Sequence, residues 1–256
     1  MSICAPDPRL RTVVVVPAHN EEQRIVACLR ALAGQIGVAG FAYEVLLVLD
    51  RCTDATRARA CASARASADG GPKLALHMLE SPLPGPGVAR RTGMELACDR
   101  LLAVGRPHGL IASTDADSVV APDWLSVQLA LVDGGARAIG GELELDPVEA
   151  ARLPAGTLAD RGRQARVRIE GIVDRDRDRA EHHFFSGASL ALTAETYRAI
   201  GGLPQRAALE DEALQRALED GAVPIVRPRS VSVRTSARID GRADRGLARD
   251  LGRAAW

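Results

Sequence analysis

The sequence predicts an α/β fold, a mostly parallel sheet flanked by helices, on three observations. Short β-branched or aliphatic runs alternate with stretches of helical period, and the early runs each end in a loop rich in Pro, Asn or Asp. The 256 residues are enough for one such domain with a sizeable core. A single domain over 1–256 is expected, with a first half over about 10–118, a second over about 119–235 and an Arg-rich tail over 236–256.

Residues 12–16 form a β-branched run closed by Pro17, the pattern of a strand buried on both faces. Asn20 is then placed to cap a helix opening at Glu21 and Glu22, with Ile25, Val26, Leu29 and Leu32 at helical spacing and Gly34 near its end. The same grammar repeats, with a strand over 44–49, an alanine-rich helix opened by Thr53 and Asp54, and a strand over 73–79. A loop of Pro82, Pro84, Gly85, Pro86 and Gly87 follows, then a helix over about 88–104 and a strand over 109–113. Beyond Asp117 the spacing predicts a helix over 122–132, a strand over 136–145 and a charged helical stretch over 147–172. An apolar segment over 184–192, a short helix to Ile200, a helix over 209–220 and a strand over 223–226 complete the series.

Lys plus Arg and Asp plus Glu both number 33, so no global field favours nucleic acid or anionic lipid. Lys73 is the only lysine, so arginine is the default cation here and each arginine needs positional support before it is read as a phosphate ligand. Cys4, Cys28, Cys52, Cys61 and Cys98 are dispersed without a CxxC pair, which suggests neither a disulfide framework nor zinc and fits a reducing cytoplasm. Residues 1–11 carry no apolar leader, and no apolar stretch approaches the ~20 residues that span a bilayer. Secretion and membrane spanning are not expected, while peripheral membrane contact and oligomeric state stay open.

In a parallel α/β sheet, ligands collect beyond the carboxyl ends of the strands. Pro17-Ala18-His19-Asn20-Glu21, Asp50 and Asp115-Ala116-Asp117 all follow strands and should gather at one rim. Asp-x-Asp is weak evidence alone: Asp174-Arg175-Asp176-Arg177-Asp178 holds it twice, yet its alternation with arginine reads as a solvated face. Asp115-Ala116-Asp117 differs in following a buried strand. Two carboxylates there suit a hard cation, Mg or Mn, of the kind that also binds phosphate oxygens. The plain alternative is an Asp turn capped by Asp115 or Ser118.

Val16-Pro17-Ala18-His19-Asn20-Glu21-Glu22 resembles the Pro-Ala-x-Asn-Glu-Glu loop after the first strand of the family 2 glycosyltransferases. Leu49-Asp50-Arg51-Cys52-Thr53-Asp54 is similar to their Asp-Asp-x-Ser-x-Asp segment, with Leu49 in place of the first carboxylate. Gly85-Pro86-Gly87-Val88-Ala89-Arg90-Arg91-Thr92-Gly93 resembles their glycine-led loop, with Arg91 where Asn is common. Asp115 to Ser118, Pro122-Asp123-Trp124-Leu125, Ser186-Gly187-Ala188-Ser189 and Leu209-Glu210-Asp211-Glu212 extend the likeness in family order, from Thr12 to about Ala222.

The resemblance implies a GT-A-like (Rossmann-like) fold, with a nucleotide-sugar donor over the first half and an unknown acceptor over the second. It implies transfer to an acceptor hydroxyl, with inversion if Asp211, paired with Glu210, is the base. By the same resemblance Pro17, Ala18, Asn20, Glu21, Asp50, Arg90, Asp115, Ala116 and Arg238 would hold the donor, and Asp117 with Asp115 a divalent cation.

Each assignment has a plainer alternative. Arg90 would only pair with Asp115 or Asp117; Glu210 and Asp211 would only favour a helix start; Arg238 and Arg242 would belong to a solvated helix alternating with Asp240, Asp244 and Asp250; His182 and His183 would be surface residues. No His follows His183 to complete a metal shell as in many GT-A enzymes, so phosphates and water would complete it. The scarcity of aromatics tilts the acceptor toward something small or lipid-like. Two rival functions remain: a nucleotidyltransferase, although the loop after the first strand lacks a Gly-rich basic pattern, and a non-catalytic nucleotide-sugar-binding protein.

Overall fold

The computed structural model describes residues 3–68, 74–172, 174–204, 209–239 and 251. Four parallel strands open the chain: β1 (Thr12–Ala18), β2 (Tyr43–Leu49), β3 (Leu76–Glu80) and β4 (Leu110–Ser113). They lie in the order β3-β2-β1-β4, with β1 in register on β2 from Thr12↔Tyr43 to Ala18↔Leu49. Helices α1 (Ile25–Ala33), α2 (Thr56–Ala68) and α3 (Pro86–Ala103) make the crossovers.

Beyond β4 come β5 (Ser118–Val120), α4 (Trp124–Asp133), β6 (Ala138–Gly140), β7 (Glu142–Leu145), α5 (Pro147–Ala150), α6 (Thr157–Glu170) and α7 (Asp174–Arg177). Then follow β8 (Leu190–Thr193), α8 (Ala194–Ala199), α9 (Glu210–Asp220), β9 (Ile225–Val226) and β10 (Ser232–Thr235). Strand β8 pairs antiparallel with both β4 and β6, and β9 extends the sheet from β6 in parallel. The seven-stranded sheet therefore draws strands from both halves of the chain, and β5, β10 and β7 form a second, three-stranded sheet.

Strand alternation explains why the first sheet is buried on both faces. Val14 and Val16 of β1, with Val45 and Leu47 of β2, join the cluster under α1 and α4. Val13 and Val15, with Leu46 and Val48, join the opposite cluster under α3, α8 and α9. At roughly 25 cal/mol per Å² of apolar surface removed from water, this double burial is the main source of the fold's stability.

Four sequence expectations need correction. The strand over 136–145 is two strands in different sheets. At Gly141 the chain leaves β8 for β10, so close to Ser189 that an added Cβ would lie 2.0 Å from its Oγ. The helical stretch over 147–172 breaks between α5 and α6, where Pro154 lacks an N–H and Gly156 has φ 90°. Helix α1 starts at Ile25, four residues beyond Glu21, because Asn20 is drawn into another loop. The charged run at 174–178 is not solvated throughout: Arg177 and Asp178 are exposed, but Asp176 is 0% exposed and pairs at 3.2 Å with Arg227, itself 1% exposed. Lys73, the expected start of the third strand, lies outside the described residues, as do Asp240, Arg242, Asp244 and Asp250.

Candidate functional site

The carboxyl ends of β1, β2 and β4 meet at one rim. Ala18 closes β1, and its carbonyl accepts from Asp50 N at 2.8 Å. Pro17 lies past Val15↔Ser113, the final pair between β1 and β4, where a residue without an N–H is tolerated. Pro17 and Ala18 are both buried, which leaves mainly their backbone to face a ligand.

Asn20 sits in the left-handed region at φ 53°, and its Oδ1 accepts from Thr53 N at 2.8 Å and Asp54 N at 3.3 Å. Asp54 accepts in turn from Glu22 N at 3.0 Å, and Glu22 from Ala55 N at 3.0 Å. Asn20 is thus a clasp between the loops after β1 and β2 rather than a cap for α1. That clasp presents Asp50, which is 6% exposed. Its Oδ2 accepts from Gly85 N at 2.9 Å, while its Oδ1 takes no hydrogen bond among the described residues, with Arg51 Nε at 3.8 Å. A buried acceptor of this kind suits the N–H or O–H groups of a nucleoside.

Beyond β4, Ala116 packs into the core at 2% exposed, so the donor-binding role expected of it is limited to its backbone. Its neighbours make separate ion pairs. Asp115 Oδ1 accepts from Arg90 Nη2 at 2.8 Å, and Asp117 Oδ2 lies 2.9 Å from Arg238 Nη2. Burial, then the charge of Asp115, pushes the Asp117 carboxyl above the usual carboxylate range despite Arg238. Arg238 also donates to both oxygens of Glu21, at 3.0 and 2.6 Å. Its backbone is anchored by Glu149 of α5, which accepts from Ser236 Oγ at 2.6 Å and Ala237 N at 2.8 Å.

Arg90 of α3 links this rim to the second half of the chain. It is 3% exposed, and its guanidinium donates to Glu210 Oε1 at 3.1 Å, Ser113 Oγ at 2.5 Å, Gly187 O at 2.9 Å and Asp115 Oδ1 at 2.8 Å. Burial alone would lower its pKa, but the charges of Asp115 and then Glu210 raise it above the ordinary value. Gly187 is required for this approach, since an added Cβ would lie 2.2 Å from Arg90 Nη2.

Four of the five N–H groups of Arg90 are directed to protein atoms, so it braces the rim. Glu210, 7% exposed, is its partner. Asp211 differs: half-buried, it accepts from Gly187 N at 3.3 Å and from Glu212 N at 2.9 Å. Burial, then Glu210, pushes its pKa up, the direction that makes a carboxylate a better proton acceptor. Leu209, at φ 59°, is the strained residue that turns the chain into α9 and sets Asp211 at its start.

The donor set at Asp115 and Asp117 is oxygen only, which fits a hard divalent cation. Among the described residues no three His, Cys, Asp or Glu converge on one point, so those residues supply two carboxylates at most. Burial, then the charge of Asp115, disfavours the ionised Asp117 carboxyl, and a cation held there would offset both.

His182 is 3% exposed, not a surface residue; its Nδ1 accepts from Phe184 N at 3.1 Å and its Nε2 faces Pro228 O at 3.3 Å. Burial pulls His182 and His183 down to about 4, so both are neutral near pH 7. Sequence reasoning missed Glu149 and Ser113 as parts of the rim. Ser113 was signalled by its place at a strand end, whereas nothing local marks Glu149.

The model of the family described as glycosyl transferase family 2 matches residues 13–189. The dolichyl-phosphate beta-glucosyltransferase of Drosophila melanogaster is 34% identical over 136 residues, 48% of this chain and 40% of that protein. The mannosyltransferase PcManGT from Pyrobaculum calidifontis, solved with GDP-Man and Mn2+, aligns at TM-score 0.65 and 21% identity over 93% of this chain and 60% of its own. S. aureus TarS 1–349 with UDP-GlcNAc aligns at TM-score 0.62 and 15% identity over 91% of this chain and 60% of its own. At those identities the two structures share the fold, and this chain spans 40% of the first relative and 60% of each of the two structures.

Proposed function

From the premise that this chain belongs to the family 2 glycosyl transferases, we propose that it moves a sugar from a nucleotide-diphosphate sugar to an acceptor hydroxyl, with inversion. The observation that carries this reading is the Arg90 hub. One buried guanidinium is held at once by Asp115 on the donor rim and by Glu210, the residue before Asp211. Donor and acceptor chemistry are thereby fixed in one frame.

In this reading Asp50 receives the nucleoside, and the loop ending β1 supplies backbone contacts at Pro17 and Ala18. Asp117 with Asp115 would hold Mg or Mn, which supplies charge to offset that growing on the diphosphate. Arg238, already beside Asp117, turns a donor toward the diphosphate, while Asn20 and Glu21 hold its surroundings in place. Asp211 takes the proton of the acceptor hydroxyl. The acceptor oxygen then bonds to the anomeric carbon from the face opposite the diphosphate, and the bond to the diphosphate oxygen breaks with its electron pair on that oxygen.

The acceptor rim is framed by β8, α9 and segment 182–187. No helix among the described residues is long and apolar enough to cross a membrane. The test is calorimetry with UDP, GDP and their sugars, with and without Mn, followed by NMR of the product anomer. Inverted product supports the reading. Release of pyrophosphate from a nucleoside triphosphate and a sugar phosphate would replace it with nucleotidyl transfer.

A further inference from the structure

Arg238 sets a positive charge between two carboxylates of the donor rim. Its Nη2 lies 2.6 Å from Glu21 Oε1 and 2.9 Å from Asp117 Oδ2, while Nη1 donates to Glu21 Oε2 at 3.0 Å. Oxygens from the loops after β1 and β4 thus converge on one cationic nitrogen. The side chains of Arg238, Glu21 and Asp117 are 22%, 6% and 14% exposed, so solvent screens the triad only in part.

The backbone beneath that guanidinium is pinned. Glu149 of α5 accepts from Ser236 Oγ and Ala237 N, and Ser236 Oγ accepts from Arg238 N at 3.2 Å. Glu149 is held in turn by Arg24 Nη2 at 3.0 Å. Any exchange at Asp117 therefore falls to the Arg238 side chain, while the segment that carries it stays in place. Arg238 keeps its charge throughout: burial would lower its pKa, but the Glu21 hydrogen bonds and then the Asp117 charge raise it above the ordinary value.

Electrostatics decides what the triad does. Asp115 already has Arg90 as its partner, so Arg238 is the cation in contact with Asp117. A divalent ion on Asp117 would meet that guanidinium within a few Å, where like charges oppose each other strongly in a partly buried site. An ion that arrives with a nucleoside diphosphate also brings negative charge for Arg238 to face, and the conflict is relieved. We propose that Arg238 is the resident counter-cation of the donor rim, which keeps a free divalent ion off Asp117 and admits one only together with a diphosphate. The divalent ion rests on the glycosyl-transfer reading; the competition rests on the contacts of Arg238.

The test is calorimetry of Mn binding to the full chain, without nucleotide and with saturating UDP or GDP, for wild type, Arg238→Gln and Arg24→Gln. Arg24 acts on Asp117 through space but pairs with Glu149, so its variant reports the loss of a nearby charge without the loss of a contact. Without nucleotide, Arg238→Gln should bind Mn about tenfold tighter than wild type, and Arg24→Gln less than about threefold tighter. With nucleotide, the gain of Arg238→Gln should vanish or reverse. If Arg238→Gln lowers the unfolding midpoint, Arg238→Met, which keeps an apolar stem, decides on the same expectations. Mn binding no tighter than wild type, a gain matched by Arg24→Gln, or a gain that persists with nucleotide overturns the competition while leaving glycosyl transfer standing. Absence of Mn binding by every variant, with and without nucleotide, removes the divalent ion from the proposed function, and the competition with it.

Discussion

Arg90 Nη2 donates to Asp115 Oδ1 at 2.8 Å from a side chain that is only 4% exposed. Removing one partner of a buried ion pair leaves an uncompensated charge, at a cost of roughly 3–5 kcal/mol. Arg90→Gln should therefore lower stability by about 3 kcal/mol and abolish transfer, because Asp115 and Glu210 lose their shared partner. Urea unfolding with a parallel activity assay checks this. An Arg90→Gln protein of wild-type stability would mean that the hub carries no structural weight.

The pair of Arg227 and Asp176, 1% and 0% exposed, makes a second prediction. Asp176→Asn should destabilise the chain by about 3 kcal/mol, whereas Asp178→Asn, two residues away and exposed, should change stability by less than about 0.5 kcal/mol. Thermal melts of the two variants side by side give the comparison.

His182 predicts a pH dependence. Its ordinary pKa of 6.5 falls to about 4 in the fold, chiefly through burial, and Nδ1 is committed to accepting from Phe184 N. Between these values the unfolded chain takes up a proton that the folded chain refuses, so stability falls as pH falls from 6.5 toward 4. His182→Asn keeps an acceptor for Phe184 N without the titration and should flatten part of the decline; His183, shifted in the same direction, keeps the remainder. Unfolding midpoints at intervals from pH 7 to pH 4 measure the slope.

Asp117 is predicted to govern cation-dependent donor binding. Asp117→Ala should weaken Mn-supported binding of UDP or GDP by about tenfold, with binding in EDTA nearly unchanged. Calorimetry in the two conditions separates the effects, and equal loss in both would place Asp117 outside the cation site.

Strands β1, β2 and β4 were legible because they are buried on both faces and read as continuous apolar runs. The small sheet was not, because β5, β7 and β10 are three or four residues long and find one another only through tertiary pairing. Site residues followed the same division. Asp50, Asp115 and Asp117 announced themselves by following strands. The partnership of Arg238 with Glu21 spans 217 positions, and no local pattern encodes it. Asp176 shows the limit most plainly, since its local run of alternating charge matches a solvated face, and its burial depends on Arg227, 51 residues further on.

In this mechanism Asp211 removes the acceptor's proton. The direct measurement is nucleoside diphosphate release from UDP- and GDP-sugars with small polyol and lipid-like acceptors, for wild type and Asp211→Asn. A fall in kcat of at least about a hundredfold is expected, with Mn-nucleotide affinity within about threefold of wild type. Asp211→Asn turning over at the wild-type rate, or a wild-type product retaining the donor's anomeric configuration, would contradict it.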